Sequence, residues 1–254
     1  MRAAHAEWTK LRTLSSTAWI LATTVLGTIA VSAATVLATD TGHCAAACYE
    51  DTVKLSLGGV RAGQAVIVVL AVLTISGEYA TGTIGPTLAA TPRRLPVLAA
   101  KAAVIAATVA VAGLLAVAGS LLAGRLILPG NGFVPPSLTD PLTLRAGLGS
   151  VAYLVLIALL ALGVALVLRD TAASVTTVYT LLFLAPALTA VVSDPRWHAR
   201  LEKYAPMTAG LAVQNTLVVP KPLIGPWHGL GVLAAYSAVA LVAGGVVFAR
   251  RSRG

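Results

Sequence analysis

The sequence predicts an all-α membrane protein of six transmembrane helices, N-in and C-in. An N-terminal amphipathic elbow helix and short outer re-entrant helices before the last span complete the expectation. Three observations carry it. Of 254 residues, 57% are hydrophobic and only 11% charged, whereas a soluble domain is nearer half apolar and a quarter charged. Six apolar runs recur, at 17–38, 58–77, 102–124, 148–168, 172–192 and 229–249. Each makes about 30–35 Å of helix, the thickness of a hydrocarbon core. None alternates strictly, so helices rather than barrel strands are expected. The apolar mass is mainly Ala, Val and Leu, with 5% aromatics, which suits helices packed through small side chains.

Orientation follows from the cations. With a cytosolic N-terminus, segments 1–16, 78–101, 169–171 and 250–254 lie inside and hold 10 of the 18 Lys and Arg residues. Trp8 and Trp19 then fall at the inner interface, Trp197 and Trp227 at the outer one. The net charge of +9 is mostly this topological signal. No aromatic-interleaved basic stripe is present, so nucleic acid is not an expected partner.

Taken in order, residues 1–16 place Ala4, Trp8, Leu11 and Leu14 on one helical face, with Lys10 and Arg12 elsewhere. An amphipathic helix on the inner leaflet and a plain positive anchor both fit. The first run, too long for a signal-peptide core and followed by no soluble domain, is expected to remain as a helix. The first outer loop holds both cysteines. Cys44 and Cys48, one helical turn apart, can form a disulfide outside the cytosol or stay as thiols. His43 alone is too little for a zinc site.

After the second run comes "SGEYATGTIGPTLAATPRRLPVLAAK", residues 76–101. Glu78 sits where the span leaves lipid, beside the interfacial ring of Tyr79. Glu78, Gly82, Gly85 and Ala89 share a face whose small residues allow another backbone to approach. Thr91 is a candidate N-cap with Pro92 at N1; a start near Pro96 fits as well. Arg93, Arg94 and Lys101 are then available to lipid phosphate, to Glu78 or to an acidic protein surface. A positive-inside loop with an internal salt bridge and a docking element both accommodate these residues. Further on, Asp170 is expected to cap the fifth span in a tight hairpin, and Pro186 to kink that span. The segment 193–228 is the longest outer stretch. Its portion "MTAGLAVQNTLVV" fits a short re-entrant or interfacial helix or an ordinary loop.

The chemistry expected to be missing narrows the function. There is no GxxxxGK[ST], HExxH or CxxC, and the four histidines lie in loops or at interfaces. The span centres hold no Asp, Glu, Lys, Arg or His, which argues against a proton-coupled transporter. Gln64, Ser120, Thr176, Thr177 and Ser237 are polar residues within spans, suited to interhelical hydrogen bonds or to substrate contact.

The segment "EYATGTIGPTLAATPRRLPVLAAK" resembles the cytosolic stretch after the second helix of ABC transporter permeases of the type-2 export superfamily, particularly actinobacterial members. There E-Y/F-x-x-G-T is followed by L-x-x-x-P-x-R and a lysine opening the third helix. "EWTKLRTLSSTAWIL" is similar to their elbow entering the first helix. "KYAPMTAGLAVQNT" with "GPWHG" is similar to their last outer loop, and "ARRSRG" to their basic tail. The likeness spans essentially the whole chain and departs at Pro86, where the pattern has a polar or charged residue.

The resemblance implies a permease homodimer in the cytoplasmic membrane, each subunit docking a separate cytosolic ATPase. Glu78, Tyr79, Gly82, Thr83, Arg93, Arg94 and Lys101 would form the coupling element, and Glu7, Trp8, Lys10 and Leu11 the elbow. Short outer helices would come from about 205–219. It further implies no catalytic residue, metal or cofactor on this chain, ATP and Mg being held by the ATPase. The expected function is export of a substrate powered by that partner. A non-transporting membrane anchor or signalling subunit for a cytosolic ATPase is the alternative, and a membrane-embedded enzyme is disfavoured.

Overall fold

A computed structural model describes residues 15–39, 50–80, 94–189, 191, 194–217 and 224–250. Its helices in chain order are α1 (Ser15–Leu37), α2 (Thr52–Ser56), α3 (Val60–Ala80), α4 (Arg94–Ile127) and α5 (Pro141–Leu168). They continue with α6 (Thr171–Thr189), α7 (Pro195–Tyr204), α8 (Pro206–Leu211) and α9 (Pro226–Arg250), and 3₁₀ turns occupy Leu128–Asn131 and Ala212–Gln214. No strand occurs among the described residues. Six helices, α1, α3, α4, α5, α6 and α9, are long and apolar enough to cross a membrane. Most of the expected elbow, Cys44 and Cys48, and the segment 81–93 lie outside the described residues.

Two helices outrun their apolar stretches. The 34-residue α4 is about 50 Å long. It begins at Arg94, so Pro96 falls in the first turn, where a missing N–H leaves no intrahelical bond unmade. Helix α5 starts at Pro141, capped by Asp140, whose Oδ2 accepts from the Thr143 N–H at 3.3 Å. Its C-terminus is closed by Arg169 in a left-handed conformation, φ 60°. Asp170 then caps α6 as expected, its Oδ1 accepting from the Ala173 N–H at 2.7 Å, and α5–α6 is a tight hairpin. Pro186 lies inside α6.

Helix α5 is the centre of the bundle and packs against α3, α4, α6 and α9. Tyr153, Leu154, Ile157, Ala158, Leu162, Ala165 and Leu166 on it are completely buried. Its crossing with α9 is close because both helices place glycine there. A Cβ on Gly163 would lie 2.5 Å from the Ala240 carbonyl carbon, and one on Gly244 would lie 2.7 Å from the Gly163 carbonyl oxygen. Helix α1 packs on α3 and α4.

At one end the connections are laced together. The Asn131 Nδ2 donates to the carbonyls of Val36 and Thr39, both at 2.9 Å. Asp51 accepts from the Thr216 N–H at 2.5 Å, the Thr216 hydroxyl at 2.7 Å and the Leu217 N–H at 3.3 Å. Arg145 donates to the Asn215 carbonyl at 2.5 Å. This end is a tied cap over the bundle.

Candidate functional site

At the opposite end lie the described positions of the expected coupling element, Glu78, Tyr79, Arg94 and Lys101. Tyr79 lies in the last turn of α3, and the Arg169 guanidinium carbon stands 4.9 Å from its ring centroid. A cation at that distance over an aromatic face is attracted by the ring quadrupole. The left-handed turn at Arg169 brings the α5–α6 hairpin to the end of α3. Lys101, two turns into α4, is only 5% exposed. Glu78 falls in the last turn of α3 and Arg94 opens α4. Gly82, Thr83 and Arg93 lie outside the described residues, as do Glu7, Trp8, Lys10 and Leu11. Arg169 is the residue that sequence reasoning missed. The signal was available, a cation in a two-residue turn at the same membrane level as Tyr79, but its pairing with that ring required the three-dimensional packing.

Within the bundle, polar side chains join helices. The fully buried Tyr153 hydroxyl donates to Gln64 Oε1, and Gln64 Nε2 donates to Met207 Sδ at 3.3 Å. The contacts tie α5, α3 and α8 together. The Tyr179 hydroxyl donates to the Ala65 carbonyl at 2.8 Å and Ser237 to the Leu156 carbonyl at 2.9 Å, joining α6 to α3 and α9 to α5. Gln64 and Ser237 thus make the interhelical bonds that are one of the two readings of polar span residues. Ser120 is buried with no hydrogen-bond partner for its hydroxyl among the described residues.

Thr176 and Thr177 have a different setting. Helix α6 packs through one side only: Ser174, Val178 and Leu182 are buried, while Thr176, Thr177, Thr180, Phe183, Leu184 and Leu188 are exposed. On that exposed side a cleft of about 770 Å³ runs between α6, α7 and α9. Three threonines and Leu181, Leu184 and Leu188 form its α6 wall. Trp197, Arg200, Leu201 and Tyr204 of α7 form the second, and Tyr236 of α9 closes the third. The cleft exists because α6 and α9 make no extensive contact; α7 and α8 bridge them at one end.

Thr24, Thr28, Thr74 and Thr108 return their hydroxyls to a carbonyl of the preceding turn, at 2.6–2.8 Å. Those of Thr176, Thr177 and Thr180 have no hydrogen-bond partner among the described residues. Arg200 stacks on Trp197, 5.5 Å from the ring centroid, and meets no carboxylate among the described residues. The cleft therefore offers hydroxyls, one guanidinium and a long apolar wall, a set for recognition. Thr180 and Arg200 were not singled out by sequence, because which face of α6 stays uncovered is a property of the packing. Among the described residues no group of three His, Cys, Asp or Glu side chains could hold a metal ion. No family model matches the chain, and no curated protein matches it.

Proposed function

We propose that this chain is the permease subunit of an ATP-binding-cassette exporter, moving a substrate across the cytoplasmic membrane with ATP hydrolysed on a separate subunit. The observation that carries the reading is the unlike character of the two ends of the bundle. One end is laced by Asp51, Asn131 and Arg145. At the other, Tyr79 and Arg169 meet beside the segment that resembles a coupling element. Docking an ATPase there lets its motion act on the ends of α3 and α4 and, through Arg169, on the α5–α6 hairpin. The alternative, a non-transporting anchor for a cytosolic ATPase, would use the same docking residues.

Co-purification with a candidate ATP-binding-cassette ATPase, sought first among the neighbouring genes, followed by ATPase and transport assays in liposomes, tests the proposal. Glu78→Ala and the double change Arg93→Ala/Arg94→Ala are expected to lower coupled ATPase activity at least tenfold. Unchanged binding and coupling would refute the docking role of this segment. Binding and hydrolysis with no cargo moved would leave the anchor reading in its place.

A further inference from the structure

We propose that the cleft between α6, α7 and α9 binds an anionic lipid, with its acidic head at Arg200 and an acyl chain along the threonine–leucine wall of α6. The site stands on the cleft alone and holds with or without a docked ATPase. Dimensions come first. Thr176 and Leu188 are twelve residues apart, about 18 Å along a helix, close to the depth of one leaflet. A volume of about 770 Å³ lies within the roughly 300–1,000 Å³ range of small-molecule sites.

The chemistry then selects the occupant. Helix α7 carries Arg196, Arg200 and Lys203 against Glu202, and exposes Trp197 and Tyr204 by 57% and 54%. A short basic helix with exposed aromatic rings is suited to the membrane interface and to acidic headgroups. Arg200 projects from it into the cleft with its guanidinium donors open to a phosphate or carboxylate. Below it Leu188, Leu184 and Leu181 of α6 supply an apolar wall for an acyl chain, which runs past them toward Thr180, Thr177 and Thr176. A second copy of this chain is the poorer occupant. A two-fold contact centred on α7 would set its cations against the same cations across the axis.

The test uses the full chain in lipid nanodiscs with a photoactivatable phosphatidylglycerol whose acyl chain carries a diazirine, mapped by peptide mass spectrometry. Adducts are expected on residues 181–188, at least fivefold above those from the matching phosphatidylcholine. Arg200→Glu is expected to erase that preference. Arg200→Gln, which keeps a polar side chain without the charge, is expected to lower the preference as well, and serves as the second variant should Arg200→Glu fail to fold. Equal labelling by both lipids, or no effect of Arg200→Glu, means ordinary surrounding lipid and overturns the site. Competition by inorganic phosphate alone would assign Arg200 to a free anion instead. A Thr177→Cys disulfide dimer would show a second copy covering the cleft, and also overturns it.

Discussion

At the scale of the residue, Asp51 shows how far apart in sequence the important pairs are. One carboxylate caps α2 through the Lys54 N–H at 3.0 Å and holds a segment 165 residues away through Thr216 and Leu217. Nothing in the local sequence separates Asp51 from its neighbour Glu50, so its role could not be read there. The same is true of Arg169, whose partner ring is 90 positions earlier in the chain. Gln64 was legible as a buried amide needing partners, while Tyr153 and Met207 as those partners were not. Asp51→Ala removes an acceptor shared by several donors, and hydrogen bonds to charged groups contribute about 1.5–3 kcal/mol. A loss of about 2 kcal/mol is expected in SDS-titrated unfolding, with faster amide exchange at 215–217. Exchange there unchanged by the substitution would show that Asp51 does not hold the cap.

At the scale of the element, the long helices were legible because lipid forces every backbone group into an internal hydrogen bond. Their ends were less so. Hydropathy marks where a helix is greasy, and α4 runs on from Arg94 to Ile127 because Ala, Leu, Lys and Arg propagate a helix whether or not lipid surrounds it. Helix α7 was hidden for the opposite reason, being too polar for any hydropathy signal although its faces are distinct. Helix crossings were legible only as a surplus of small residues. Gly163 and Gly27 show the difference that packing makes: a Cβ at Gly163 would strike the backbone of α9, while one at Gly27 meets nothing within 4 Å. Gly163→Leu is therefore expected to cost about 1–3 kcal/mol, the usual range for overpacking a tight contact. Gly27→Ala is expected to cost nothing, and thermal unfolding of both variants in detergent makes the comparison. Equal melting temperatures would mean that α5 and α9 do not cross as closely as described.

At the scale of the whole molecule, six similar apolar runs give no clue that α5 is the centre and α6 the edge. That arrangement decides where the cleft lies, and it arises from which helices carry small or hydrogen-bonding residues on several faces. Orientation is the property on which the functional reading most depends. The laced end holds the connections before α3, before α5 and before α9; the other end holds the α5–α6 turn, the start of α1 and the end of α9. Ten of the 18 Lys and Arg residues fall in the segments expected at that second end, and the orientation proposed from the positive-inside rule puts it in the cytosol. In a Cys44→Ser/Cys48→Ser background, Gly130→Cys introduces a thiol at an exposed position where an added Cβ meets nothing within 4 Å. A membrane-impermeant maleimide is expected to label it in intact cells, and to label Ser252→Cys only after permeabilisation. The reverse pattern would put Tyr79 and Arg169 outside the cell, where no ATP-hydrolysing partner could reach them, and would remove the exporter reading altogether. It would leave the lipid cleft intact, since Arg200 needs only an acidic headgroup, and anionic lipids are available to a membrane protein of either orientation.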